Sequence, residues 1–239
     1  MKNKYKKLLF DLDNTLVDDD ENRRYAIKYV LLDRKETATK DKVENFINLD
    51  NQFWKDRAEG KIKNPYIFKS NEDKTKWVRA QRFMKYFKDI SFEEAVEINK
   101  KYISYLSKNI VPIKNSREIL EYLYKKNYEI YIVTNSPQKI VNDKLSKIKA
   151  QKYIKETFSA EEAGRMKPHK EFFEKFFEKI GTDEKNDMII IGDELEKDIL
   201  GGIRNGIDSC WFNVNGQDNT TNLKPNYEIQ DLIELKNIL

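Results

Sequence analysis

Short apolar runs recur along this chain at residues 8–10, 128–133, 188–191 and 209–214, and the stretches after the second and third read as helices. Each run is flanked by charged or turn-forming residues and spans too few positions for a buried helix, so each reads as a strand buried on both faces. Helical periodicity appears at 116–126, where Ile119, Leu120, Leu123 and Tyr124 share a face. It returns at 171–180, through Phe172, Phe173, Phe176, Phe177 and Ile180, and at 197–204. Strands alternating with helices predict an α/β fold built on a doubly wound parallel sheet.

One long segment breaks that alternation. Residues 21–107 carry helical patterns at 25–32, 42–57, 76–87 and 92–106 with no strand signal between them. Placed after the first strand, this block reads as an inserted α-helical cap. The expected division is a core of residues 1–18 and 108–239 and a cap of residues 19–107. Pro65 and the polar stretch 70–74 are expected to form a loop inside the cap. The length of 239 residues suits one core plus an accessory domain.

Charge excludes some function classes. Lys and Arg number 45 against 41 Asp and Glu, a net charge of only +4, and the basic residues are spread rather than gathered into a stripe. A nucleic-acid polymer is therefore not an expected partner. No apolar run approaches the ~18 residues of a membrane span, and the charged start leads into a run too short for a signal peptide. The single cysteine, Cys210, sits among apolar residues and reads as a small buried hydrophobe. A cytoplasmic protein is expected, and a monomer, since no heptad pattern marks an interface.

Chemistry-bearing residues gather where the predicted strands end. The first strand runs into Asp11-Leu12-Asp13-Asn14-Thr15, with carboxylates two positions apart that point the same way if the backbone stays extended. Such a pair repels a phosphate unless a cation intervenes, and Mg2+ is the hard, oxygen-preferring ion that suits it. The second strand ends at Thr134-Asn135-Ser136, which offers either a helix N-cap or an anion contact. Lys167 precedes Pro168, expected in the first turn of a helix, and a lysine there can reach a bound phosphate as a point charge. His169, the only histidine, reads as a surface residue at a helix start. The string Gly192-Asp193-Glu194-Leu195-Glu196-Lys197-Asp198 follows the third strand. Carboxyl ends of parallel strands line one crevice, so Asp11, Thr134 and Asp193 are expected to meet there.

These four signals, in this order, resemble the haloacid dehalogenase superfamily: DLDNT, TN, K-P and GDELEKD. The resemblance implies a Rossmann-like core with an inserted helical cap, and a hydrolase that transfers a phosphoryl group to Asp11. It implies that Asp13 protonates the leaving oxygen and then activates water, and that Thr134 and Asn135 bind the phosphoryl group. Lys167 would neutralise that group beside Asp11. Mg2+ would be held by Asp11, the Asp13 carbonyl and Asp193, with Asp198 orienting the metal shell. An acid at position 13 fits phosphate monoesters and not carbon–halogen cleavage, which leaves no oxygen to protonate.

The tail from Asp198 to Gly206, followed by Cys210-Trp211-Phe212-Asn213, is similar to pyrimidine 5'-nucleotidases that clear noncanonical nucleotides. The resemblance implies a nucleoside 5'-monophosphate as the small phosphorylated substrate. The start is also similar to N-acylneuraminate-9-phosphatases, so a sugar phosphate is the alternative, followed by a sugar phosphomutase and a non-catalytic binding module. Residues 18–20, with Asn51, Trp54 and Arg82, are candidates for leaving-group recognition. Trp54 is read either as a stacking platform for a base or as packing between cap helices.

Overall fold

Elements follow one another in the order β1 (Lys7–Phe10), α1 (Asp19–Asp33), α2 (Lys40–Ala58), α3 (Asn71–Tyr86), α4 (Phe92–Leu106), α5 (Ser116–Lys125), β2 (Glu129–Thr134), α6 (Gln138–Lys147), β3 (Glu156–Ser159), α7 (Ala160–Ala163), α8 (Lys170–Ile180), β4 (Met188–Gly192), α9 (Leu200–Asn205), β5 (Asp208–Phe212) and β6 (Tyr227–Ile229). This computed structural model describes residues 4–63, 68–182 and 184–239.

All strand pairs are parallel, in the order β3-β2-β1-β4-β5-β6. Strand order reverses beside β1, the place where open α/β sheets form a crevice beyond their carboxyl ends. Phe10 is in register with Ile132 of β2 and with Ile191 of β4. Asp11, Val133 and Gly192 therefore follow at one level. Alternation along β1 sends Leu8 and Phe10 into a core with Leu120, Leu123 and Val141, and Leu9 into a second core with Phe172, Phe173 and Phe176. Apolar side chains on both faces are what make the sheet doubly wound.

The chain divides into two compact units. One carries the sheet and is built from the chain up to Asp19 and from Ile110 onward; the other spans Asp20–Asn109. The second unit is helical, with its own core around Ile27, Phe46, Phe83 and Tyr102. In the first, the outgoing and returning segments pair across Val17 and Pro112, fixed by Asp18 N–H to the Val111 carbonyl at 2.8 Å and Ile113 N–H to the Leu16 carbonyl at 3.0 Å.

Three local expectations are corrected. The stretch 70–74 is not a loop: the Ser70 hydroxyl accepts from Asp73 N–H at 3.0 Å and caps α3, whose first turn carries Glu72 and Asp73. A capping serine followed by acids complements the positive helix end. Pro65, expected in the same loop, lies outside the described residues. Pro168 is not in the first turn of α8, which starts at Lys170 behind the exposed His169. Helix 197–204 divides into a π turn, Leu195–Ile199, and α9.

Candidate active site

Lys167 organises the crevice. Its ammonium donates to Asp11 Oδ1 at 2.6 Å, to Asp198 Oδ1 at 2.6 Å and to the Val133 carbonyl at 2.7 Å, so all three of its N–H bonds are used. The residue is 3 % exposed. Burial opposes its charge, but Asp11 and Asp198 outweigh that and hold the lysine pKa above its ordinary value. Asn135 grips the Lys167 main chain from both ends of its amide: Oδ1 accepts from Lys167 N–H at 2.7 Å and Nδ2 donates to the Lys167 carbonyl at 3.2 Å. The lysine is thus fixed by backbone as well as by charge.

Asp11 leaves β1 through a bond from its N–H to the Ile191 carbonyl at 2.9 Å. Burial, foremost, pushes its carboxyl up to about 7. Asp193 accepts from the Thr15 hydroxyl at 3.1 Å, and its main-chain carbonyl accepts from the Trp211 indole N–H at 2.9 Å. Burial, with Asp11, Asp198 and Glu194 nearby, drives its carboxyl well above the usual carboxylate range. Asp198 lies in the π turn, where its Oδ2 accepts from Glu194 N–H at 3.1 Å. A single π turn inside a helix commonly marks a functional position.

Oxygens of Asp11, Asp193 and Asp198 lie within 4.8 Å of one another. Three carboxylates around one ammonium leave a formal charge of −2, which a hard divalent cation would neutralise with the oxygen ligands it prefers. The donor set therefore fits such a cation. Asp198, read from the sequence as an outer-shell residue, brings a carboxylate oxygen into the same cluster while both its oxygens accept hydrogen bonds, from Lys167 Nζ and Glu194 N–H.

Asp13 sits apart from that cluster. The backbone does not stay extended beyond β1: Asn14 has φ 57°, and Leu16 and Val17 both donate to the Leu12 carbonyl. The two carboxylates of DLD bond different lysines, Asp11 to Lys167 and Asp13 to Lys144. Asp13 Oδ2 accepts from the Ser136 hydroxyl at 2.5 Å and Oδ1 from Lys144 Nζ at 2.5 Å. Burial works against the Asp13 charge, but Lys144 and Ser136 hold its pKa below the usual range. Thr134, 1 % exposed, ends β2 with its hydroxyl accepting from Ser136 N–H at 3.1 Å. The strand ends thus bring Asp11, Asp13, Thr134, Asn135, Lys167, Asp193 and Asp198 into one crevice.

Lys144 escaped the sequence reading, and Ser136 entered it only as part of the strand end, with no role at Asp13. Ser136 adjoins the strand-end pair Thr134-Asn135. Lys144 left a signal too, since it shares the buried face of α6 with Ile140, Val141 and Leu145. A lysine at a core position calls for a carboxylate partner.

Within the helical unit, Arg82 is buried and donates to Asp50 Oδ1 at 2.8 Å and Asn99 Oδ1 at 3.1 Å. Arg23 reaches the other Asp50 oxygen at 2.6 Å and Asn51 Oδ1 at 2.8 Å. The Arg82 charge is thus taken up inside the unit. Trp54 is half-buried, 5.3 Å from the Arg82 guanidinium and edge-to-face with Phe53. Asn51 is exposed.

The model of one protein family, haloacid dehalogenase-like hydrolase, matches residues 8–212. The chain belongs to this family. Among its relatives, the pyrimidine 5'-nucleotidase PynA of Streptococcus pneumoniae is 30% identical, with 98% of this chain and 97% of that protein covered. The pyrimidine 5'-nucleotidase YjjG of Escherichia coli is 24% identical over 99% of this chain and 98% of its own length. The crystal structure of the HAD-hydrolase YfnB from Bacillus subtilis, bound to magnesium, superposes with a TM-score of 0.86 at 29% identity, covering 99% of both chains. No described helix is long and apolar enough to cross a membrane.

Proposed function

We propose that this protein is a magnesium-dependent phosphatase that hydrolyses a nucleoside 5'-monophosphate through a phosphoaspartate on Asp11. The observation that carries the reading is the buried Asp11–Lys167–Asp198 triad with Asp193 beside it, a site of net negative charge at the sheet's switch point. Relatives whose names specify pyrimidine 5'-nucleotidases, aligned along nearly the whole chain, support the substrate class.

In this reading a carboxylate oxygen of Asp11 attacks phosphorus while the bond to the leaving oxygen breaks. Asp13, which Lys144 and Ser136 keep ionised in the free protein, takes a proton from solvent as the negative charge of the phosphate enters and gives it to that oxygen. Asp13, now a carboxylate, then takes a proton from water as the water attacks the phosphoaspartate, which releases phosphate and restores Asp11. Lys167 holds Asp11 in line and offsets phosphoryl charge, while Thr134 and Asn135 face the phosphoryl oxygens. Asn135 does so while keeping Lys167 seated. Mg2+ would be held by Asp11, Asp193 and Asp198, with the Asp13 carbonyl, and would supply the remaining neutralisation of phosphoryl charge. The inserted helical unit serves as the cap that selects the leaving group. Within that unit Asn51 and Trp54 are the candidates for nucleoside recognition, and Arg82, held by Asp50 and Asn99, braces Trp54.

The test is phosphate release from a panel of nucleoside 5'-monophosphates, sugar phosphates and p-nitrophenyl phosphate, with Mg2+ and with EDTA. Pyrimidine nucleotides should be turned over best, and Asp11→Asn should abolish release. Undiminished turnover by Asp11→Asn would overturn the mechanism, and a preference for sugar phosphates would overturn the substrate.

A further inference from the structure

Trp211 places its one polar atom against the loop that carries Asp193. β5 sets Trp211 in register with Gly192, the last residue of β4, so the two stand side by side at the carboxyl end of the sheet. Cys210 and Phe212, on either side of it, enter the core shared with Leu8 and Phe10, and strand alternation turns Trp211 toward the opposite face. The residue is 4 % exposed, and its indole N–H reaches past the strand end to donate to the Asp193 carbonyl at 2.9 Å. An indole has a single donor and no acceptor, and a buried donor is costly to leave unpaired, so this bond fixes the peptide that follows Asp193. The Asp193 side chain is held separately, by the Thr15 hydroxyl, which donates to Oδ1 at 3.1 Å. Asp193 lies one residue past the end of β4, so its place is set by contacts such as these rather than by the strand ladder. Groups that bond a metal ligand from behind are what keep it aimed.

We propose that Trp211 is a positioning residue for the metal site: its N–H pins the Asp193 main chain so that the carboxylate is aimed at the cation that Asp11, Asp193 and Asp198 would hold. The inference rests on the metal reading of that cluster. Two anchors divide the work. Thr15 limits rotation of the carboxyl, and Trp211 limits rotation of the peptide on which the side chain stands. Without the indole donor the stretch from Gly192 to Glu194 gains freedom, the Asp193 oxygen is no longer pre-set, and ordering it falls on the binding step.

The experiment titrates the metal-free protein with Mg2+ alone, by calorimetry and with no substrate present. Trp211→Phe keeps an aromatic ring and removes the donor, and its dissociation constant for Mg2+ should rise on the order of 10-fold, the lower end of what such outer contacts contribute. A merely structural tryptophan would lower the thermal midpoint of the metal-free protein and leave Mg2+ affinity alone. An affinity within about twofold of the parent in a folded Trp211→Phe protein would therefore overturn the proposal. If Trp211→Phe does not fold, the parent protein decides by NMR. Of the indole N–H signals of Trp54, Trp77 and Trp211, that of Trp211 should move with Mg2+ and saturate with the calorimetric constant; a Trp211 signal unmoved at saturating Mg2+ would overturn the proposal. Asp193→Asn separates the two readings. Weakened Mg2+ binding there with none in Trp211→Phe removes the positioning role alone, whereas undiminished binding in Asp193→Asn removes the metal ligand and the proposal with it.

Discussion

Gly192 ends β4, and its missing side chain is what lets Asp198 fold back over the strand end. A Cβ built at Gly192 would stand 2.3 Å from both Cγ and Oδ2 of Asp198 and 2.6 Å from its Cβ. Ordinary contact begins near 3.4 Å, so the Asp198 carboxyl has to retreat by about 1 Å, an overpacking that costs about 1–3 kcal/mol of stability. No easy direction is open, because Asp198 is buried and both its oxygens are engaged, by Lys167 Nζ and by Glu194 N–H. The strain passes to Lys167, whose ammonium is shared between Asp198 and Asp11. A displacement of about 1 Å among catalytic groups lowers rates on the order of 10²-fold. Gly192→Ala should therefore keep its fold, lose about 1–3 kcal/mol in urea unfolding, and lose on the order of 10²-fold in kcat/KM on p-nitrophenyl phosphate with Mg2+. A folded Gly192→Ala protein within about threefold of the parent enzyme would refute the coupling from Gly192 through Asp198 to Lys167.

Two further outcomes follow from the same contacts. Burial raises the Asp11 carboxyl to about 7, so the folded metal-free protein favours the protonated acid, and the stability this adds below the ordinary carboxylate pKa is lost as pH rises through about 7. Mg2+ favours the ionised form, so the metal should raise the thermal midpoint more at about pH 8 than at about pH 5; equal shifts would count against Asp11 as a ligand. In the helical unit, Asp50→Ala strips Arg23 and Arg82 of the carboxylate they share, and unfolding experiments should register a loss of about 3–5 kcal/mol, whereas a loss under about 1 kcal/mol would mean that solvent already screens the pair.

The strand-end motifs were readable because each joins a one-dimensional signal to a local rule. An apolar run makes a buried strand, and a polar residue just past it stands at the carboxyl end. β3 and β6 left no such signal. Each is an edge strand, paired on one side only, and the sequences Glu156-Thr157-Phe158-Ser159 and Tyr227-Glu228-Ile229 mix polar with apolar residues as that place permits. Ser70 was misread as loop because a polar string that caps a helix and one that avoids a helix look alike until the hydrogen bond from Asp73 N–H is seen.

By itself, then, the sequence determined the alternation of strand and helix, the inserted helical block, and which residues stand at strand ends, since these follow from periodicity and from chain order. Only the tertiary structure decided how the charges pair. Lys167 lies 156 positions from Asp11 and Lys144 lies 131 from Asp13, and no local pattern says which carboxylate either lysine will meet. That choice is made when the sheet brings β1, β2 and β4 side by side: buried charges in a low-dielectric crevice must find opposite partners, and the geometry of the strand ends dictates which partners lie within reach.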